Sequence, residues 1–171
     1  NRGFDDNIIN YLANSNPQVL ICLHEEHAVS IADGYGKVTE TPMAVALHSN
    51  VGLMHATMTI FNAWCDRTPM IIFGATGPVD AHKRRPCIDR ILTGKDQASM
   101  IRHYTKWDDQ PASPQAAVES VLRANQMTRS APMAPVYVCL DVGLQEEAAT
   151  GTVSIPCPAR LRPAPLPIAI A

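Results

Sequence analysis

The sequence predicts an α/β fold: three layers, with a mostly parallel sheet carrying helices on both faces. Three observations carry this reading. There are four short, nearly continuous apolar runs, segments of helical period lie between them, and the two kinds alternate regularly. The runs at 19–23, 43–48, 70–75 and 136–142 lack the in–out alternation of a half-exposed strand, so each reads as a strand covered on both sides. Strands joined through helices pair in parallel, because the crossover returns the chain to the same edge.

Taken in order, 4–13 is helix-like through Ile8, Ile9 and Leu12, and no strand precedes it. After the run 19–23, the segment 26–37 places Ala28, Ile31, Ala32 and Tyr35 on one face of a helix. The segment 53–65 differs. Met54, Met58, Phe61 and Cys65 form one apolar stripe, while Leu53, Ile60 and Trp64 lie on another side. Such a helix needs cover on several sides, from the centre of a core or from a partner subunit. A short extra strand is expected near 104–107. Over 114–128, Val118, Val121 and Leu122 repeat the helical pattern, with Ser113 as cap and Pro114 in the first turn. Five of the fourteen prolines lie between Pro156 and Pro167, so 151–171 is expected to be an extended linker that follows a domain over 1–150.

Composition narrows the function classes. A chain of 171 residues, 46% apolar, is long enough to bury one domain's core. A formal charge of −2 gives no electrostatic reason to expect nucleic acid or an anionic membrane as partner. No apolar run approaches the roughly 20 residues that span a bilayer, and the opening residues do not read as a secretory signal. Five scattered cysteines without a C-x-x-C pair read as free thiols in a reducing cytoplasm.

The densest group of reactive side chains is Leu23-His24-Glu25-Glu26-His27, running into Ile31-Ala32-Asp33-Gly34-Tyr35. Glu25 falls where an apolar run gives way to a helix, the edge at which open α/β sheets bind ligands. A carboxylate there suits proton sharing, and equally suits a helix-start acid that answers the dipole. His24 and His27 are three apart, which is not the H-E-x-x-H spacing of a helical zinc site, so no metal ligand is assigned. No G-x-G-x-x-G follows a strand, which argues against a dinucleotide binder.

His24-Glu25-Glu26-x-Ala28 followed by Ala32-Asp33-Gly34-Tyr35 resembles the H-E-x-x-A…A-D/E-G-Y-A motif of thiamine diphosphate-dependent enzymes of the acetolactate synthase and benzoylformate decarboxylase group. Later landmarks fall in order: the turn Ser49-Asn50-Val51-Gly52, Asp66 with Pro69, Gly74, and Pro135-Val136-Tyr137-Val138. Within the group, Leu47-His48-Ser49, Asn62-Ala63-Trp64 and Lys106-Trp107…Pro111-Ala112-Ser113 resemble the benzoylformate decarboxylase branch. The resemblance implies the N-terminal, pyrimidine-binding domain of an enzyme that decarboxylates a 2-oxo acid or joins carbons afterwards. It implies Glu25 as the acid at the aminopyrimidine, His48 as a proton-transfer residue, and Ser49, Gly52 and His55 as cofactor-binding.

His55 departs from the Asn usual in the group, and Ile91 and Leu92 fall where relatives place pocket residues or are ordinary core. Arg67 and Lys83-Arg84-Arg85 read as solvated surface. The G-D-G…N motif that holds Mg²⁺ and the diphosphate belongs to a different, later domain. A homodimer or homotetramer with its site between subunits is therefore expected. A non-catalytic relative with a role in assembly or regulation is the alternative.

Overall fold

The computed structural model describes residues 19–148 and 151–163, so the helix expected at 4–13 lies outside the described residues. Nine elements follow one another: α1 (Glu25–Thr39), β1 (Met43–Ala46), α2 (Ser49–Cys65), β2 (Met70–Thr76), α3 (Ile88–Leu92), β3 (Trp107–Asp109), α4 (Pro114–Arg129), β4 (Pro135–Asp141) and α5 (Val142–Glu146). The four strands form one parallel sheet in the order β1-β2-β4-β3.

Side-chain alternation along the two central strands separates the layers. Met70 and Ile72 of β2, with Tyr137 and Cys139 of β4, face a core shared with Val29 and Ala32 of α1 and Leu53, Ala56, Ile60 and Ala63 of α2. Ile71, Val136 and Val138 face the other way and pack on Ala124 and Met127 of α4. Helices therefore cover both faces, as expected.

The run 19–23 is not a strand. It has no ladder partner among the described residues, and Val19, Leu20, Ile21 and Leu23 are exposed. An apolar run becomes a strand only where a neighbour accepts its backbone hydrogen bonds. Among the described residues β1 stands at the sheet's edge. The extra strand also falls later than expected. Residues Arg102–Tyr104 form a 3₁₀ turn, and pairing with β4 begins only at Trp107.

Two buried helix faces are rotated from the expected ones. In α1 the covered residues are Val29, Ala32, Asp33 and Gly36, while Ile31 and Tyr35 are exposed. Gly36 permits this close approach: a Cβ there would lie 2.5 Å from Thr68 Cγ2 and 3.0 Å from the Pro69 carbonyl. In α4 the covered row is Ser120, Ala124 and Thr128, whereas Val121 is exposed. Small side chains bring the helix onto the sheet, and the Thr128 hydroxyl donates to the Met70 and Ala134 carbonyls at 3.2 and 2.8 Å.

Helix α2 begins earlier than the segment 53–65, so Ser49-Asn50-Val51-Gly52 is its first turn rather than a separate loop. Leu53 and Ile60 are fully buried, whereas Met54, Met58, Phe61 and Cys65 lie exposed as a stripe. The residues 151–163 are mostly exposed and lie against α4, where Gln115 bonds both polar groups of the Ser154 backbone region (2.9 Å each). All five cysteines are free. Among the described residues no helix is long and apolar enough to cross a membrane.

Candidate functional site

The site lies where α1 meets the first turn of α2, beside the carboxyl end of β1. His24 caps α1: its backbone is extended (φ −150°, ψ 143°) and its Nδ1 accepts the Glu26 N–H at 3.2 Å. An N-cap acceptor satisfies one of the orphan donors of the first turn. This fixes Glu25 as the first residue of the helix, with its side chain directed across to α2.

There Glu25 lies against Gly52. A Cβ at Gly52 would fall 2.9 Å from Glu25 Cγ and 3.0 Å from its Oε1, so the missing side chain is what makes room for the carboxyl. The Glu25 side chain retains only 25% of its exposure, yet among the described residues it makes no hydrogen bond. Its near neighbour is His55, whose Nδ1 lies 3.8 Å from Glu25 Oε2, too far for a direct bond. The His24 and His55 rings stack over this point with centroids 5.0 Å apart and planes 20° from parallel. His24, Glu25 and His55 thus gather three donor side chains whose ligating atoms all lie within 4.8 Å of one another.

The other expected residues are placed differently. His48 is exposed, at the N-cap position of α2. Its carbonyl accepts the Gly52 N–H at 2.7 Å. Ser49 is buried with φ 49°, and its hydroxyl donates to the Leu92 carbonyl at 2.9 Å, so it serves to hold α3 against α2. Asn50 repeats that contact by donating to the Ile91 carbonyl at 2.9 Å. The Ile91 side chain is exposed and Leu92 is half-buried.

The basic run 83–85 is exposed, as expected, and also bonds to its own chain. Arg84 donates to the Pro78 and Val79 carbonyls, and Arg85 grips Asp89 through its backbone N–H and its guanidinium. The Arg85 guanidinium holds the Asp89 carboxyl below the usual carboxylate range, against the opposing effect of burial. Arg67 lies over the Trp64 ring at 5.0 Å and is exposed. In the core, on β4, burial pushes the Cys139 thiol up to about 11, so it offers no nucleophile at neutral pH.

The fold brings Glu25, Gly52 and His55 together, and it adds His24, which sequence reasoning had not placed with them. His24 was read beside His27, yet its parallel stacking partner is His55. The spacing carried no signal for that pairing, because helix α1, strand β1 and the start of α2 separate the two.

The geometry can be set beside known proteins. The model of the family described as "Thiamine pyrophosphate enzyme, N-terminal TPP binding domain" matches residues 3–111, more than half of the chain. The chain belongs to this family. A benzoylformate decarboxylase of Pseudomonas aeruginosa is 26% identical over 121 residues, which make up 71% of this chain and 22% of that protein. The crystal structure of benzoylformate decarboxylase from Polynucleobacter necessarius matches with a TM-score of 0.74 at 22% identity, covering 89% of this chain and 28% of that one. A thiamine diphosphate-dependent 4-hydroxybenzoylformate decarboxylase of Rhodococcus jostii RHA1 matches with a TM-score of 0.65 at 20% identity, over 85% of this chain and 30% of that one. At these identities the structural likenesses establish the fold. The chain spans about a fifth of the curated relative's length. As a thiamine pyrophosphate enzyme N-terminal domain, it belongs to a cofactor-dependent group.

Proposed function

We propose that this chain is the pyrimidine-binding domain, over 1–150, of a thiamine diphosphate-dependent enzyme that decarboxylates a 2-oxo acid, with Glu25 as the acid that meets the cofactor's aminopyrimidine. One observation carries the reading: the Glu25 carboxyl is three-quarters covered, faces the side-chain-free step at Gly52, and has no hydrogen-bond partner among the described residues. A carboxyl that is partly covered yet spends no lone pair inside the fold is free to take a ligand nitrogen as its partner.

The residues present fit that ligand. An acid, an open backbone step and a flanking imidazole suit a flat heteroaromatic ring with a basic nitrogen. When bound, thiamine diphosphate supplies the carbon nucleophile and the electron sink for loss of carbon dioxide. The protein's part is to place and protonate. Glu25 holds a proton at the ring nitrogen, Gly52 leaves room for it, and His55 closes the flank. His48, exposed just beyond the end of β1, is the second residue proposed for proton transfer. Ser49 acts through position, since its hydroxyl is taken by the Leu92 carbonyl.

The likeness to a benzoylformate decarboxylase supports decarboxylation over carboligation. Mg²⁺ and the diphosphate would be held by residues outside this chain, beyond a linker at 151–171. The exposed stripe Met54, Met58 and Phe61 supports a homo-oligomer that covers it, and five free thiols suit the cytoplasm. The test is deuterium exchange at C2 of bound cofactor in the full-length protein. Glu25→Gln should slow it by about 10²–10⁴-fold, the usual worth of a positioned acid–base group, with the melting temperature preserved. Exchange at the wild-type rate would reject the assignment.

A further inference from the structure

The same three side chains can do something the cofactor does not require. His24, Glu25 and His55 present two imidazoles and a carboxylate, with ligating atoms within 4.8 Å of one another. Two histidines and a glutamate make a complete protein donor set for a zinc ion with one position left open. In a tetrahedral site the donor atoms stand roughly 3.3 Å apart, as bond lengths near 2 Å dictate. The cluster needs only modest closing to reach that spacing. The least enclosed member is His55, whose side chain is 53% exposed and has room to turn its nitrogen inward. His24 must release the Glu26 N–H that its Nδ1 accepts, which costs one exposed helix-cap bond. Nothing else among the described residues uses the Glu25 carboxyl.

We propose that, when thiamine diphosphate is absent, His24, Glu25 and His55 bind a divalent transition-metal ion such as Zn²⁺, and that the bound ion excludes the cofactor by occupying Glu25. The exclusion rests on the reading of Glu25 given above, because metal and aminopyrimidine would claim the same oxygens. Two imidazoles favour zinc, copper or nickel over magnesium. The Mg²⁺ that accompanies the diphosphate therefore does not compete here. The consequence is a zinc-sensitive apoenzyme whose holoenzyme is protected.

Full-length protein, stripped of cofactor and divalent ions with a chelator, is titrated with Zn²⁺ by calorimetry and with Co²⁺ as an absorbance probe. Wild type should take up one ion in a site that His24→Asn and His55→Asn each weaken by about 100-fold or more, beyond the range of an outer-shell loss. His24→Asn keeps a capping oxygen at the start of α1, and His55 is exposed, so both variants should melt as wild type does. Pre-bound thiamine diphosphate should abolish this uptake, and Zn²⁺ should raise the apparent Kd of the cofactor in proportion to its concentration. Zn²⁺ affinity unchanged by both substitutions overturns the site. Zinc uptake that leaves cofactor affinity unchanged overturns the exclusion. Cofactor exchange chemistry separates the two ideas. If Glu25→Gln stops C2 exchange while the histidine variants leave zinc binding intact, only the metal proposal fails. If exchange survives in Glu25→Gln, the cofactor reading fails by itself.

Discussion

Glu25 and Asp89 are both helix-start carboxylates, in α1 and α3, yet they are held in opposite ways. Asp89 is fully buried, and every direction is answered: Arg85 gives it a backbone N–H at 2.6 Å and two guanidinium bonds at 3.0 and 3.1 Å. Glu25 is partly buried and has no such bond among the described residues. An acid that serves the fold uses its lone pairs inside the fold. The Glu25 carboxyl keeps a quarter of its exposure instead, which leaves its lone pairs open to a ligand.

The largest expected effect tests this contrast directly. Glu25→Gln should lower turnover of the full-length enzyme by about 10²–10⁴-fold, while unfolding free energy moves by no more than about 0.5 kcal/mol, since no bond within the described residues is lost. Asp89→Asn should do the reverse. It removes charge-assisted bonds, so urea unfolding should show a loss of about 1–3 kcal/mol, with cofactor affinity changed far less. The acid limb of stability sharpens the point. Arg85 lowers the folded Asp89 pKa below its unfolded value. Its stabilisation is therefore complete above the ordinary carboxylate range and is lost as pH falls through the depressed folded value. Asp89→Asn should flatten that limb, whereas Glu25→Gln should leave Asp89's share of it in place.

How much of this was legible beforehand follows from the same distinction. Apolar runs at β1, β2 and β4 identified the sheet because a doubly covered strand writes its burial into consecutive residues. The run 19–23 looked the same, but a run reports only the tendency to be covered, never the partner that does it. The covered faces of α1 and α4 were misjudged because Gly36, Ser120 and Thr128 are buried by close approach and hydrogen bonding, which hydrophobic periodicity does not see. Glu25 was legible from its position at a helix start within a recognisable motif. Its pairing with His24 and His55 was not, since it depends on how α1 lies across α2.

Gly52→Ala sets two effects against each other within the site. Alanine is the better helix former by about 1 kcal/mol, but its Cβ would stand 2.9–3.2 Å from the Glu25 side chain. Glu25 is a flexible side chain able to move away, so net stability should change by less than about 0.5 kcal/mol. The carboxyl would then be displaced from its seat, and cofactor affinity should fall about tenfold, as misplacement of a positioning group does. Affinity equal to wild type, measured by fluorescence titration of the full-length protein, would show that the seat at Gly52 does not position Glu25.

The smallest effect lies at the other end of α1, where a buried acid has Oδ2 paired and Oδ1 without a partner among the described residues. Asp33 is buried and bonded by Lys37 at 2.6 Å, and Lys37 also reaches Asp66, the C-cap of α2, at 2.6 Å. One ammonium thereby ties the two helices that frame the site. Its bonds to Asp33 and then Asp66 raise the Lys37 pKa. The stabilisation is accordingly complete below the ordinary lysine value and is lost as pH rises through the elevated folded one. Lys37 is 43% exposed, so screening limits its worth, and Lys37→Met should cost about 0.5–1 kcal/mol at neutral pH. The deficit should vanish at strongly alkaline pH, where wild type has lost the same charge. A deficit that persists there would mean that the charge on Lys37 is not what ties α1 to α2.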